Sequence, residues 1–135
     1  IQYSAKRNPT FISLLVGRIH FLRKIKVFND YLFQNKNMHL NYKSEVFRSS
    51  YLSGCFLLVP AWTYFEIDGF DEKYFLHLED ADFVRRCSFV GKTIHYPKSY
   101  VYHKWQRGSH KSISQSFHIL KSYLYYLSKW GFEFY

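Results

Sequence analysis

Acidic residues are missing from a long stretch after Asp82. No Asp or Glu occurs from Phe83 to Phe132, while Arg and Lys recur from Arg85 and Arg86 through to Lys121 and Lys129. Over all 135 residues, 19 Lys and Arg stand against 10 Asp and Glu, a formal net charge of +9. A half so depleted in negative charge attracts phosphate, whether in nucleic acid, lipid head groups or a nucleotide. Cysteine is also scarce. Cys55 and Cys87 lack metal-type spacing and are too few for a disulfide framework. Both sit in apolar runs, which predicts buried free thiols and a reducing cytoplasm. Long hydrophobic runs are missing as well. The stretch "FISLLVG" is short and meets Arg18, so it supports neither a signal peptide nor a membrane span. The first residue is Ile1, so the chain is expected to be a fragment or a processed product. No internal repeat, low-complexity tract or nucleic-acid-binding motif is present.

What the chain does have is aromatic and apolar bulk. Hydrophobic residues make up 47% and aromatic residues 22%, which argues against disorder and for one folded segment spanning 1–135. Thirteen Tyr and fourteen Phe suit a core, and such rings also line sugar-binding clefts.

Apolar residues Phe11, Leu14, Leu15, Ile19, Leu22 and Ile25 recur at helical spacing after Pro9 and Thr10. Arg18, Arg23, Lys24 and Lys26 are interleaved with them, so the helix either packs on the domain or lies on an anionic membrane surface. Residues 29–43 read as a loop. The run "YLSGCFLLVP" (51–60) reads as a buried strand, with Gly54 marking the close approach of a backbone or ligand. "AWTYFEIDGF" predicts a short helix stopped at Gly69, and "KYFLHL" a strand or extended link. A helix is predicted from about Glu79 to Val90, with Phe83, Val84, Cys87 and Val90 on one face and Gly91 as its stop. "KTIHY" and "SYVYH" read as short strands. A long final helix carries Ile113, Phe117, Leu120, Leu124 and Leu127, with a capping box in "SISQ" and an end at Gly131.

Five of the ten acidic residues lie between Asp71 and Asp82. Glu79, Asp80 and Asp82 fall in the first turn of a predicted helix, where the dipole stabilises each by roughly 0.3–1 kcal/mol. Capping explains their position but not their number, because neighbouring carboxylates repel. A helix N-terminus also keeps a carboxylate ionised and able to accept a proton from a hydroxyl. Structural and catalytic readings both remain open on the residues alone.

Ordered motifs narrow the choice. "SGCFLLVP", "GFDEKYF", "EDADFVRRCSFVG" and "PKSYVYH" follow one another between Leu52 and His103, flanked by "IQYSAKRNPTF" and "KSYLYYLSKWG". Together they resemble the C-terminal half of family-2 glycosyltransferases, especially bacterial rhamnosyltransferase-like enzymes of surface polysaccharide and lipopolysaccharide synthesis. The resemblance implies an α/β chain, the acceptor-side portion of a GT-A fold, with the N-terminal nucleotide-binding half absent. Alone, such a segment should be inactive.

By that resemblance Asp80 matches the catalytic base of an inverting transfer from a nucleotide-diphosphate sugar to a saccharide or lipid-linked acceptor. Glu79 would orient the acceptor or the base. Asp82 is placed among the substrate-binding residues, with loop support through hydrogen bonds as its other role. "DAD" at 80–82 matches the acceptor-side motif and not a metal motif. His103 matches a histidine that completes a metal site, and Mg²⁺ or Mn²⁺ is expected in the complete enzyme. Lys104, Arg107 and Ser109 would contact the diphosphate, although "KWQRGSH" departs from the small, Gly-rich loop of many relatives. Gly54 would let donor or acceptor approach. Trp62, Tyr64 and Tyr74 are stacking surfaces or core. His77, His95 and His110 have no ligand-like spacing. The expected location is cytoplasmic, peripheral at the inner face of the membrane. The competing reading is a basic module for nucleic acid or anionic membrane without catalysis. For the transferase itself, no nucleic-acid partner is expected.

Overall fold

A computed structural model describes residues 2–104 and 113–132. The chain is mixed α/β, with four two-residue strands and five α-helices among the described residues. β1 (Ala5–Lys6) pairs antiparallel with β3 (Tyr51–Leu52), placing Ala5 opposite Leu52 and Lys6 opposite Tyr51. β2 (Phe47–Arg48) pairs antiparallel with β4 (Ile94–His95).

The first helical region is three pieces and not one. α1 (Phe11–Arg18) starts at Thr10, whose hydroxyl caps the Ser13 N–H while the Ser13 hydroxyl answers to the Thr10 backbone. It ends because Ile19 turns extended and Arg23 folds back to donate to the Val16 and Gly17 carbonyls, partners that a continuing helix would have supplied. A 3₁₀ turn over His20–Lys24 leads into α2 (Lys26–Asn35). α2 occupies much of the stretch read as a loop. Its Leu32 and Asn35 are buried, and the Asn35 carbonyl accepts the Arg7 N–H.

α3 (Ala61–Glu66) follows Pro60 and closes at Gly69, whose φ of +59° would strain a residue with a side chain. An added Cβ there would also stand 2.7 Å from the Tyr64 hydroxyl. α4 (Glu79–Val90) ends at Gly91 and α5 (Ile113–Trp130) at Gly131, as the sequence predicts. The capping box proposed for α5 includes Ser112, which lies outside the described residues.

α4 is the centre of the packing. On one side Leu78 and Ala81 meet Tyr74, Tyr123 and Tyr126, joining α4 to α5. On the other, Phe83, Val84 and Cys87 carry Leu52, Leu57, Val59 and Ile67, and Phe70 stacks on Phe83 at 4.2 Å between centroids. Cys55 and Cys87 are free thiols, Cys87 buried and Cys55 half-buried.

Two predicted strands, and one stretch read as a strand or extended link, are not formed as strands. Only Tyr51 and Leu52 of the 51–60 run join a ladder; residues 57–60 form no regular element. "KYFLHL" bends into the start of α4, and "SYVYH" joins no ladder. In each case no neighbouring strand among the described residues offers the backbone partners that a ladder needs.

Candidate functional site at the start of the fourth helix

The approach to α4 is strained. His77 (φ +65°) and Leu78 (φ +68°) are consecutive left-handed residues, and neither is glycine. Such conformations cost roughly 1–3 kcal/mol each and persist where surrounding contacts hold them. Here Leu78 is buried in the α4–α5 core, and its carbonyl accepts the Asp82 N–H at 2.9 Å. The sharp entry delivers Glu79, Asp80 and Asp82 to the first turn of α4, which has no side-chain cap from Leu78.

Those three carboxylates have three different environments. Asp80 is half-buried and faces β3. Its Oδ2 accepts the Gly54 N–H at 2.8 Å, its Oδ1 accepts the Ala81 N–H at 2.9 Å, and the Tyr51 hydroxyl lies 3.1–3.2 Å from both. Gly54 is needed there for space, since a Cβ would meet the Asp80 Cβ at 3.2 Å. Lys6, opposite Tyr51 in the ladder, sets its ammonium 5.0 Å from the Tyr51 ring centroid. Burial lowers the Lys6 pKa, against the opposing pull of Asp80. Burial and then the charge of Asp80 push the Tyr51 hydroxyl well above its ordinary value, so it remains a neutral donor. Asp80 thus receives hydrogen bonds from three donors, two of them backbone N–H groups. A carboxylate offers about four acceptor directions, so one more donor can be received.

Glu79 is different. Its Oε2 is buried and has no hydrogen-bond donor among the described residues. Burial, with the neighbouring charge of Asp80, raises its pKa, while its own backbone N–H and His77 pull the other way. A buried acceptor without a donor is held at a cost, while Glu79 as a whole stays half-buried beside Asp80.

Asp82 corrects an expectation. It is 0% exposed, and its carboxylate is enclosed by the Trp130 indole N–H (2.8 Å), the Arg86 Nε (2.8 Å), the Lys129 ammonium (2.9 Å) and the Tyr74 hydroxyl (3.3 Å). No side is open to substrate, so Asp82 ties α4 to the end of α5 and does not bind one.

Of the remaining predicted residues that the structure describes, none makes a hydrogen bond or ion pair with Asp80. His103 is exposed, with Nδ1 3.2 Å from the Gln2 side-chain oxygen, and Lys104 is exposed. Arg107 and Ser109, like His110, lie outside the described residues. Among the described residues no three His, Cys, Asp or Glu side chains are grouped to hold a metal ion. One imidazole cannot hold Mg²⁺ or Mn²⁺ without oxygen ligands, so the described residues do not form that site by themselves. Trp62 is 62% exposed and Tyr64 is also exposed, whereas Tyr74 belongs to the core. His95 stacks near Tyr42 and Phe47, a packing role.

Tyr51 and Lys6 are the contributors that sequence reasoning missed. The signal was weak: only the register of two short strands puts both beside Asp80. Two clefts lie away from this carboxylate. One, of about 310 Å³, is polar and flanked by Arg7, Thr10, Tyr31, Asn35 and Ser50. The other, of about 400 Å³, is apolar and lies between residues 57–59, α3 and Phe83.

The geometry is that of a hydrogen-bonded carboxylate at a helix start, and a known glycosyltransferase sequence provides a match. Rhamnosyltransferase WbbL of Escherichia coli (strain K12) is 25% identical to the chain over 129 residues. The match covers 94% of this chain but 45% of WbbL, so the chain spans less than half the length of that relative. No protein-family model matches the chain, and no solved structure does. No described helix is long and apolar enough to cross a membrane.

Proposed function

We propose that the chain is the acceptor-side portion of an inverting glycosyltransferase, a family-2 enzyme of GT-A type acting in surface polysaccharide synthesis. The observation that carries this reading is the Asp80 carboxylate, held by hydrogen bonds from Gly54, Ala81 and Tyr51 at the strained start of α4. The similarity to a rhamnosyltransferase over nearly the whole chain supports it. The donor is a nucleoside-diphosphate sugar and the acceptor a saccharide or lipid-linked saccharide.

In the proposed step an acceptor hydroxyl lies between Glu79 and Asp80. Glu79 orients the acceptor or the base, and Asp80 takes the hydroxyl's proton as the oxygen attacks the anomeric carbon. The C–O bond forms as the bond to the nucleoside diphosphate breaks on the opposite face, inverting the centre. Charge on the leaving group needs a cation. Mg²⁺ or Mn²⁺ would draw most of its ligands from outside the described residues, with His103 as a candidate contributor, and no step here runs through it. Exposed Phe21 and Val27 beside Lys24 and Lys26 support contact with an anionic membrane surface.

The test is Asp80→Asn in the complete enzyme. Loss of a general base typically costs about 10²–10⁴-fold in turnover. Turnover within a few-fold of the parent, with the fold intact, removes Asp80 from that role.

A further inference from the structure

We propose that the polar cleft of about 310 Å³ walled by residues 7–10, α2 and Ser50 binds one sugar unit that carries a carboxylate or a phosphate. The geometry of the cleft does not depend on the transferase reading. That reading supplies only the source of such a unit, an acidic residue of the acceptor glycan.

Hydrogen bonds between distant segments preform the walls. The Arg7 N–H donates to the Asn35 carbonyl at 2.8 Å and joins the end of β1 to the end of α2. Thr10 starts α1 with its capping box, and its hydroxyl meets that of Tyr31 at 2.5 Å. Ser50 is fixed by its neighbours. Tyr51 pairs with Lys6 in the ladder, and the Ser49 hydroxyl donates to the Lys6 carbonyl at 2.8 Å.

The polar groups that this framework leaves unused define the ligand. Asn35 is 6% exposed, yet its side-chain amide has no hydrogen-bond partner among the described residues. Lining the cleft, it takes partners from what fills the cleft. The Gln34 amide, the Ser50 hydroxyl and the Arg7 guanidinium are likewise without side-chain partners among the described residues. A carboxamide both donates and accepts, as a sugar hydroxyl does, so Gln34 and Asn35 match a polyol. Among the described residues of the lining Tyr31 is the one aromatic, a surface able to cover the C–H patch of a sugar ring, and none is aliphatic. That composition disfavours an apolar ligand. The volume lies at the small end of ligand sites, which run from about 300 to 1,000 Å³, and suits a single unit.

Charge selects an acidic sugar. No described residue of the lining is acidic, and Arg7 is a permanent cation there. Lys6 and Lys36, next in sequence to Arg7 and Asn35, are both half-buried. Burial lowers the Lys6 pKa, Asp80 opposes this and the Lys36 charge adds to it; burial and then Arg23 lower that of Lys36. Cations gathered and desolvated in this way favour an anion beside them.

The experiment titrates the 135-residue chain itself, with its amide NMR spectrum as the readout. The probes are glucuronate, glucose 1-phosphate, glucose and inorganic phosphate. Expected are shifts at Gln34, Asn35 and Ser50 with an acidic sugar, bound at least about tenfold more tightly than glucose or phosphate alone. The tighter of the two acidic sugars identifies the anionic group. Arg7→Ala should bring the acidic sugars down to the level of glucose. Gln34→Ala should weaken them about fivefold, the worth of one hydrogen bond. Both side chains are exposed, so the variants should keep the parent's fold, which unchanged melting curves would establish. No shifts at the cleft, phosphate alone binding as tightly, or Arg7→Ala without effect overturns the proposal. So do shifts confined to the Gly54 and Ala81 N–H groups, which would put the sugar at Asp80. Cleft binding with retained turnover of Asp80→Asn in the complete enzyme keeps this site and sinks the transferase reading; lost turnover without cleft binding does the reverse.

Discussion

Tyr51 and Asp80, 29 residues apart, meet where β3 faces the first turn of α4, with one phenol hydroxyl 3.1–3.2 Å from both carboxylate oxygens. Tyr51 is fixed from the other side by the ladder to Lys6 and cannot drift from the carboxylate without breaking it. The hydroxyl holds the carboxylate in place together with the Gly54 and Ala81 N–H groups, so Tyr51→Phe should lower turnover in the complete enzyme. The loss should fall on kcat and not on donor KM, by up to about tenfold, the worth of one hydrogen bond. Turnover equal to the parent's would show that the hydroxyl does not position this group.

Stability depends on Asp82 more than on either neighbour. Its carboxylate balances Arg86 and Lys129 and receives the Trp130 indole and Tyr74 hydroxyl at a fully buried point. Removing one partner of a buried pair costs about 3–5 kcal/mol. Asp82→Asn should fall near the lower end, about 3 kcal/mol, because Arg86 and Lys129 retain some access to water. Urea unfolding with an unchanged m-value measures it. A loss below about 1 kcal/mol would show that the network is energetically slack.

Helix boundaries were legible in the sequence where the signal is local. Gly69, Gly91 and Gly131 stop the helices that they were expected to stop, and Thr10 starts α1. The break at Ile19 was not legible, because it depends on Arg23 reaching back to carbonyls in the preceding helix. Strand readings failed for a related reason. "GCFLLVP" has a strand's composition and a strand's alternation, but a ladder needs a neighbour that composition does not name. Within the acidic cluster the sequence located the three carboxylates in one helical turn. It could not sort them, since Asp82 differs from Asp80 only in which way the helix turns it, toward Trp130 or toward Gly54.

Asp71 gives a pH dependence of definite sign. Burial disfavours its charge, but the Lys129 ammonium, the Tyr125 hydroxyl and the Lys73 N–H outweigh that and hold its pKa at about 2, below the ordinary 3.8. Between those values the unfolded chain binds more protons than the folded one, so stability falls as pH falls. The contribution is complete above about pH 3.8 and lost toward pH 2. Asp71→Asn should therefore be less stable than the parent at pH 5 and show a flatter decline over this window. Parallel curves for the two proteins would rule out the linkage.

Glu79 should behave in the opposite sense. Burial raises its pKa above the ordinary 4.5, Asp80 adds to that, and His77 offsets part of it. The folded state then binds the proton more tightly than the unfolded state, so stability drops as pH rises from 4.5 through the folded value. At pH 7 the full penalty of a buried charge with an unpaired Oε2 is present. Glu79→Gln should consequently melt at a higher temperature than the parent at pH 7. The gap should close below about pH 4.5, where the parent is protonated in both states. If Glu79 also orients the acceptor or the base, the same variant loses turnover in the complete enzyme, mainly through kcat and not through donor KM. Gain of stability together with loss of turnover is the pattern of a strained functional site. A variant no more stable than the parent at pH 7 would remove the argument that this carboxylate is held at a cost.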